Sequence, residues 1–127
     1  MKRLIVLALL LFAGGADAQA ICSGQASTLT PFAYEAITVS SSSIGFTAVT
    51  FDAGFPNVAV LAVATLETDS IRFRVDGGVP TSTVGQLVTQ ASNVSLSVCG
   101  TSAIRAFRAI RVTTDASLKV VYYRAGN

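Results

Sequence analysis

Ser70-Ile71-Arg72-Phe73-Arg74-Val75-Asp76 alternates apolar and charged side chains without a break. In an extended chain successive side chains point to opposite faces, so Ile71, Phe73 and Val75 share one face and Arg72, Arg74 and Asp76 the other. The stretch reads as a strand with one buried face, and the ring of Phe73 is placed inward on a central strand. Glu67-Thr68-Asp69 before it reads as a hairpin turn back to residues 58–66. That run is almost wholly apolar, as suits a strand at a sheet centre or covered on both faces. After it, Asp76-Gly77-Gly78-Val79-Pro80-Thr81 ends the pairing, because glycine takes positive φ and proline has no N–H to donate.

Outward from this point the same rules give further strands. Residues 23–30 are a polar, extended lead-in, 33–39 a strand, and Ser40-Ser41-Ser42-Ser43 a flexible connector. Residues 45–51 alternate imperfectly, with Phe46 and Ala48 on one face and Val49 and Phe51 on the other. Asp52-Ala53-Gly54-Phe55-Pro56-Asn57 is a turn cluster. Residues 86–89 and 92–98 are short strands. The last strand, 117–124, sets Leu118, Val120 and Tyr122 against Lys119, Val121 and Tyr123. Residues 103–112 are ambiguous, since Ile104, Phe107 and Ile110 recur every three residues, as do Arg105, Arg108 and Arg111. That spacing suits a helical turn or a strand with a bulge that re-aims its faces, and the shortness of the stretch favours the bulged strand. Seven or eight short strands joined by turn clusters describe an all-β domain, a single antiparallel, jelly-roll-like β-sandwich.

The first twenty residues read differently. Lys2 and Arg3 precede ten apolar residues, 4–13, and a small-residue tail holds two A-x-A patterns, Ala16-Asp17-Ala18 and Ala18-Gln19-Ala20. This is the layout of a cleaved secretory signal. The apolar run is short of the ~20 residues that span a bilayer, so no stable membrane span is expected after cleavage. Ile21 before Cys22 is too large for a lipoprotein cleavage site. The expected organisation is a signal at 1–20 and one β-sandwich domain at 21–127. Cys22 and Cys99 are the chain's two cysteines. In an oxidising compartment that even count invites a disulfide. By chain entropy, closing the ~76-residue loop would add on the order of 4 kcal/mol.

Chemistry is sparse. The chain has no histidine, so it lacks the commonest general base and triad partner. No serine has the flanking glycines of a nucleophile elbow. Glu67 and Asp69 read as solvated acids at a turn, and Asp76-Gly77-Gly78 lacks the later acidic positions of a calcium loop. Neither an enzyme nor a bound metal or cofactor is expected. After the leader, seven basic residues (Arg72, Arg74, Arg105, Arg108, Arg111, Lys119, Arg124) nearly balance six acidic ones (Glu35, Asp52, Glu67, Asp69, Asp76, Asp115), which leaves no electrostatic footprint for nucleic acid. The candidate interface residues are Arg72, Arg74, Arg105, Arg108, Tyr123 and Arg124, because arginine and tyrosine are enriched where proteins meet. The alternative is that the arginines solvate one sheet face and pair with Asp69, Asp76 or Asp115 inside the domain. Of Tyr122 and Tyr123, one is expected in the core and the other free for an interface.

Ala62-Val63-Ala64-Thr65-Leu66-Glu67, Ile71-Arg72-Phe73-Arg74-Val75-Asp76-Gly77, Pro80-Thr81, Gly85, Phe107-Arg108-Ala109-Ile110-Arg111 and Val120-Val121-Tyr122-Tyr123-Arg124 follow one another in a familiar order. Over residues 58–124 this pattern resembles small all-β virion structural proteins of tailed bacteriophages. The resemblance implies a head or tail component that works through contacts with protein subunits, its own copies or virion neighbours, without a catalytic residue. It implies that Asp76-Gly77 and Pro80-Thr81 are scaffold turns. Such proteins assemble in the host cytoplasm, where a leader and a disulfide are foreign. The second expectation is therefore an exported periplasmic or extracellular binding module held by a Cys22–Cys99 bridge.

Overall fold

Leu118, Val120 and Tyr122 are all fully buried, and the strand that carries them runs up the middle of one of two sheets. The structure is a computed structural model and describes residues 28–90 and 95–126. The leader and Cys22 lie outside the described residues. In chain order the elements are β1 (Leu29–Val39), α1 (Ala48–Phe51), β2 (Leu61–Glu67), β3 (Ile71–Arg74), β4 (Gln86–Val88), β5 (Ser95–Cys99), α2 (Thr101–Ala106), β6 (Arg108–Arg111) and β7 (Ala116–Ala125). One sheet has the order β1-β7-β2-β5 and the other β4-β3-β6. All pairings are antiparallel. The molecule is an all-β sandwich of two antiparallel sheets.

The two inner faces follow from the period of two. Ala62, Ala64 and Leu66 on β2 face the same way as Leu118, Val120 and Tyr122 on β7, and Ile37 and Val39 extend the row onto β1. Ile71 and Phe73 on β3 and Ala109 on β6 answer from the other sheet. Four aromatic rings bridge the layers. Phe46 stacks on Phe107 at 4.0 Å between centroids, Phe107 lies 5.8 Å from Phe73, and Phe46 meets Tyr122 edge-on at 5.6 Å. Such pairs add about 0.5–1.5 kcal/mol each beyond the area they bury.

Four expectations need correction. Residues 67–69 do not close a hairpin, because β2 and β3 lie in different sheets. Thr68 takes φ 77°, its hydroxyl reaches Asp115 O at 3.2 Å, and the Asp69 carboxylate accepts N–H groups from Ser70 and Thr114 at 2.7 and 2.8 Å. These bonds tie the turn to the 112–115 loop and carry the chain from one sheet to the other. Val75 does not continue the inward row: β3 ends at Arg74, and the Asp76-Gly77-Gly78 turn leaves Val75 exposed. Residues 45–51 are not a strand. The Thr47 N–H donates to Glu35 Oε1 at 3.0 Å, and the one-turn α1 that follows buries both Phe46 and Phe51 while Val49 points out. The imperfect alternation came from this turn. Residues 103–112 are not one bulged strand but α2 followed by β6, with the buried Phe107 at their junction. Ala109, not Ile110, takes the inward place on β6.

Candidate interaction surface

Residues directly opposite in an antiparallel pair share a face. Arg72 on β3 lies between Leu87 of β4 and Ile110 of β6, and Arg74 lies opposite Arg108. Arg72, Arg74 and Arg108 are thus brought together on the outer face of the three-stranded sheet. Arg105 stands apart, on α2.

Each of these arginines is held by its own chain. Arg74 forks onto Asp76, with Nε to Oδ1 at 2.9 Å and Nη2 to Oδ2 at 2.6 Å, and packs so closely over Gly78 that a Cβ there would collide with it. Those two bonds, with the Gly78 N–H donating to Oδ1 at 3.1 Å, hold the Asp76 carboxyl below the usual range, at about 2. The same pairing raises the Arg74 guanidinium. Arg72 donates from Nε to Ser82 O and from Nη1 to Gly85 O, both at 2.9 Å, and so clips the 75–85 loop back onto the sheet. Arg108 Nη1 reaches Phe107 O at 3.1 Å and leaves no room for a Cβ at Gly45. Arg105 meets Asp52 at 2.6 Å, and Arg111 meets Asp115. Asp76 and Asp115 thus take arginines, as the in-domain pairing anticipates. Asp69 instead takes Thr114, whose hydroxyl and N–H, with the Ser70 N–H, lower its carboxyl.

Tyr122 is the tyrosine of the core. Tyr123 lies half-buried on the outer face of the four-stranded sheet, opposite Leu61 and Pro31. Arg124 continues the inward series of β7, and its Nε is buried without a hydrogen-bond partner among the described residues. Cys99 ends β5, and no described cysteine is free; its expected partner, Cys22, lies outside the described residues.

Two residues carry more than their sequence context suggests. Glu35 shares a face with Ile37 and Val39 and accepts hydrogen bonds from the Tyr122 hydroxyl and the Thr47 N–H. Burial, and then this carboxylate, raise the Tyr122 hydroxyl well above its ordinary value. It stays a donor at any physiological pH, so the pair acts as a strut. The sequence sign was present, since a charge at the inward register of 33–39 demands a partner. Phe55, inside the turn cluster, is 95% exposed, and Val49 on α1 is 79% exposed. Val49 also lines a depression of about 360 Å³ together with Ala48, Phe51, Asp52, Arg105 and Arg108 among others.

Among the described residues no group of three or more His, Cys, Asp or Glu side chains is placed to hold a metal. No helix among them is long and apolar enough to cross a membrane. The arrangement is one of arginines held by internal bonds and a few large apolar side chains left outside. No family model matches this chain, and neither a curated protein nor a solved structure is significantly similar to it.

Proposed function

We propose that this chain is a non-enzymatic structural subunit, a head or tail component of a tailed phage that works through protein–protein contacts. The observation that carries the contact role is the set of large apolar side chains held out to solvent: Phe55, Val49, Val79 and Tyr34 are each at least 60% exposed. Leaving an aromatic ring such as that of Phe55 almost wholly in water is unfavourable, and burial against another protein would recover that cost. The virion part of the proposal rests on the resemblance of residues 58–124. Density-gradient centrifugation of a lysate tests it. The chain is expected to band with the particles; a chain that stays at the top of the gradient with soluble proteins contradicts the proposal.

The second reading, an exported binding module, is favoured by the leader and by the lack of a free thiol among the described residues. It expects a mature terminus after Ala18 or Ala20 and an oxidised Cys22–Cys99 pair. Intact mass with Met1 retained and two alkylatable thiols would end that reading.

A further inference from the structure

The turn that carries Phe55 is closed at several points. Asp52 bridges to Val58, the Ala53 N–H donates to Asn57 O at 3.0 Å, and the Asn57 N–H donates to Gly54 O at 2.7 Å. The backbone that carries the ring is therefore fixed, and the ring itself is 95% exposed. Asp52 lies three residues before Phe55 and lines the depression floored by α1. The turn that carries the ring thus starts from a residue of the recess wall. At about 360 Å³ the recess falls at the low end of the ~300–1,000 Å³ usual for binding clefts.

Charge adds a second relation. The three ion pairs among the described residues serve Arg74, Arg105 and Arg111 and leave Arg108 with no carboxylate. Asp52 gives one oxygen, Oδ2, to Arg105, and its Oδ1 takes no hydrogen bond among the described residues. The surface therefore holds one ring without a recess, one recess without a ring, one cation lacking an anion, and one carboxylate oxygen to spare. Pairing along the long edge strand is blunted by Pro31, by the register shift between Pro31 and Ala33 and by the inward-pointing Glu35.

We propose that α1 and the 52–57 turn form a self-complementary surface on which two copies of this chain dock about a two-fold axis. Phe55 of each copy enters the other's recess against Ala48 and Val49, and Asp52 of each meets Arg108 of the other. Each copy offers both a ring and a recess, so the proposed contact is isologous and closes at two copies. The proposal rests on the reading of the chain as an assembly subunit and names its partner. The expected dissociation constant is on the order of micromolar or looser, and the fraction of dimer rises as copies are concentrated.

Sedimentation velocity of the full chain from ~1 μM to ~1 mM tests this. The expected result is a monomer–dimer equilibrium whose dissociation constant rises about tenfold or more in Phe55→Ser. Arg108→Glu and Asp52→Lys are each expected to stay monomeric, because each sets like charges across the axis. An equimolar mixture of the two is expected to dimerise again, since both contacts then join opposite charges. Circular dichroism shows that each variant folds, and Phe55→Ser, at a solvent-exposed tip, keeps the test independent of the buried core. Wild type that stays monomeric throughout, or a dimer unmoved by Phe55→Ser, overturns the proposal. The result is separable from particle association: a monomer that still bands with particles removes the two-fold contact and keeps the structural-subunit reading. If in that case Phe55→Ser alone loses particle association, the patch faces a different virion protein.

Discussion

Tyr122 joins three parts of the molecule through one hydroxyl. Its ring is fully buried between the sheets, and its O–H donates to Glu35 of β1, which also receives the N–H that opens α1. Tyr122→Phe keeps the ring but deprives the carboxylate of a donor, and is expected to cost about 1–3 kcal/mol near neutral pH. The hydroxyl's folded pKa lies above the ordinary tyrosine value of ~10. Its contribution is therefore complete below about pH 10 and is lost as pH rises from there toward the folded value. Urea melts across that range are expected to show a steeper alkaline loss in wild type than in Tyr122→Phe, and equal slopes would count against the strut. Asp76 runs the other way. With its carboxyl lowered to about 2 by Arg74 and the Gly78 N–H, its contribution is present above the ordinary carboxylate value and lost as pH falls toward about 2. A carbon-detected NMR titration is expected to place the Asp76 midpoint near 2, and Arg74→Ala is expected to raise it toward the ordinary range.

At the scale of elements, β3 shows two kinds of side chain fixing one strand. Phe73 is buried against Phe107 from the centre of the three-stranded sheet, and Phe73→Ala is expected to cost about 3–5 kcal/mol. Arg72 on the opposite face is more than a solvated charge, since it clips two loop carbonyls to the sheet. Arg72→Ala is expected to cost about 1.5–3 kcal/mol and to raise amide exchange across 82–85, whereas a loss under about 0.5 kcal/mol would make the clip ornamental. The alternation from Ile71 to Arg74 was legible because a period of two with one charged face has a single strand reading. The partner of that strand was not. Whether residues 67–69 form a hairpin or cross between sheets depends on Asp69 and Thr68 finding Thr114 and Asp115, forty-five or more residues away. The short helices were hidden for a related reason. One-turn α1 hangs on the distant Glu35, and six-residue α2 is too brief for its period of three to stand out from a bulged strand.

The whole molecule is a two-layer sandwich in which Arg74, Arg105 and Arg111 are paired internally and Phe55 stands exposed on a turn. The charged face of Arg72 and Arg74 was legible from the alternation, whereas the place of Arg108 beside them came only from the pairing of β3 with β6. Phe55 was not, because turn clusters are read for backbone conformation and give no sign of whether an aromatic side chain folds in or stands out. Glu35 was half legible, as an inward charge whose donor, Tyr122, lies eighty-seven residues on. That this protein acts as a built-in part of a particle is the proposal on which its function rests. Quantitative mass spectrometry across a gradient-purified, salt-washed particle band tests it most directly. Peptides from residues 28–126 are expected at a constant ratio to the major shell protein in every fraction of the band. A ratio that drifts across the band, or peptides that wash away with salt, would contradict it.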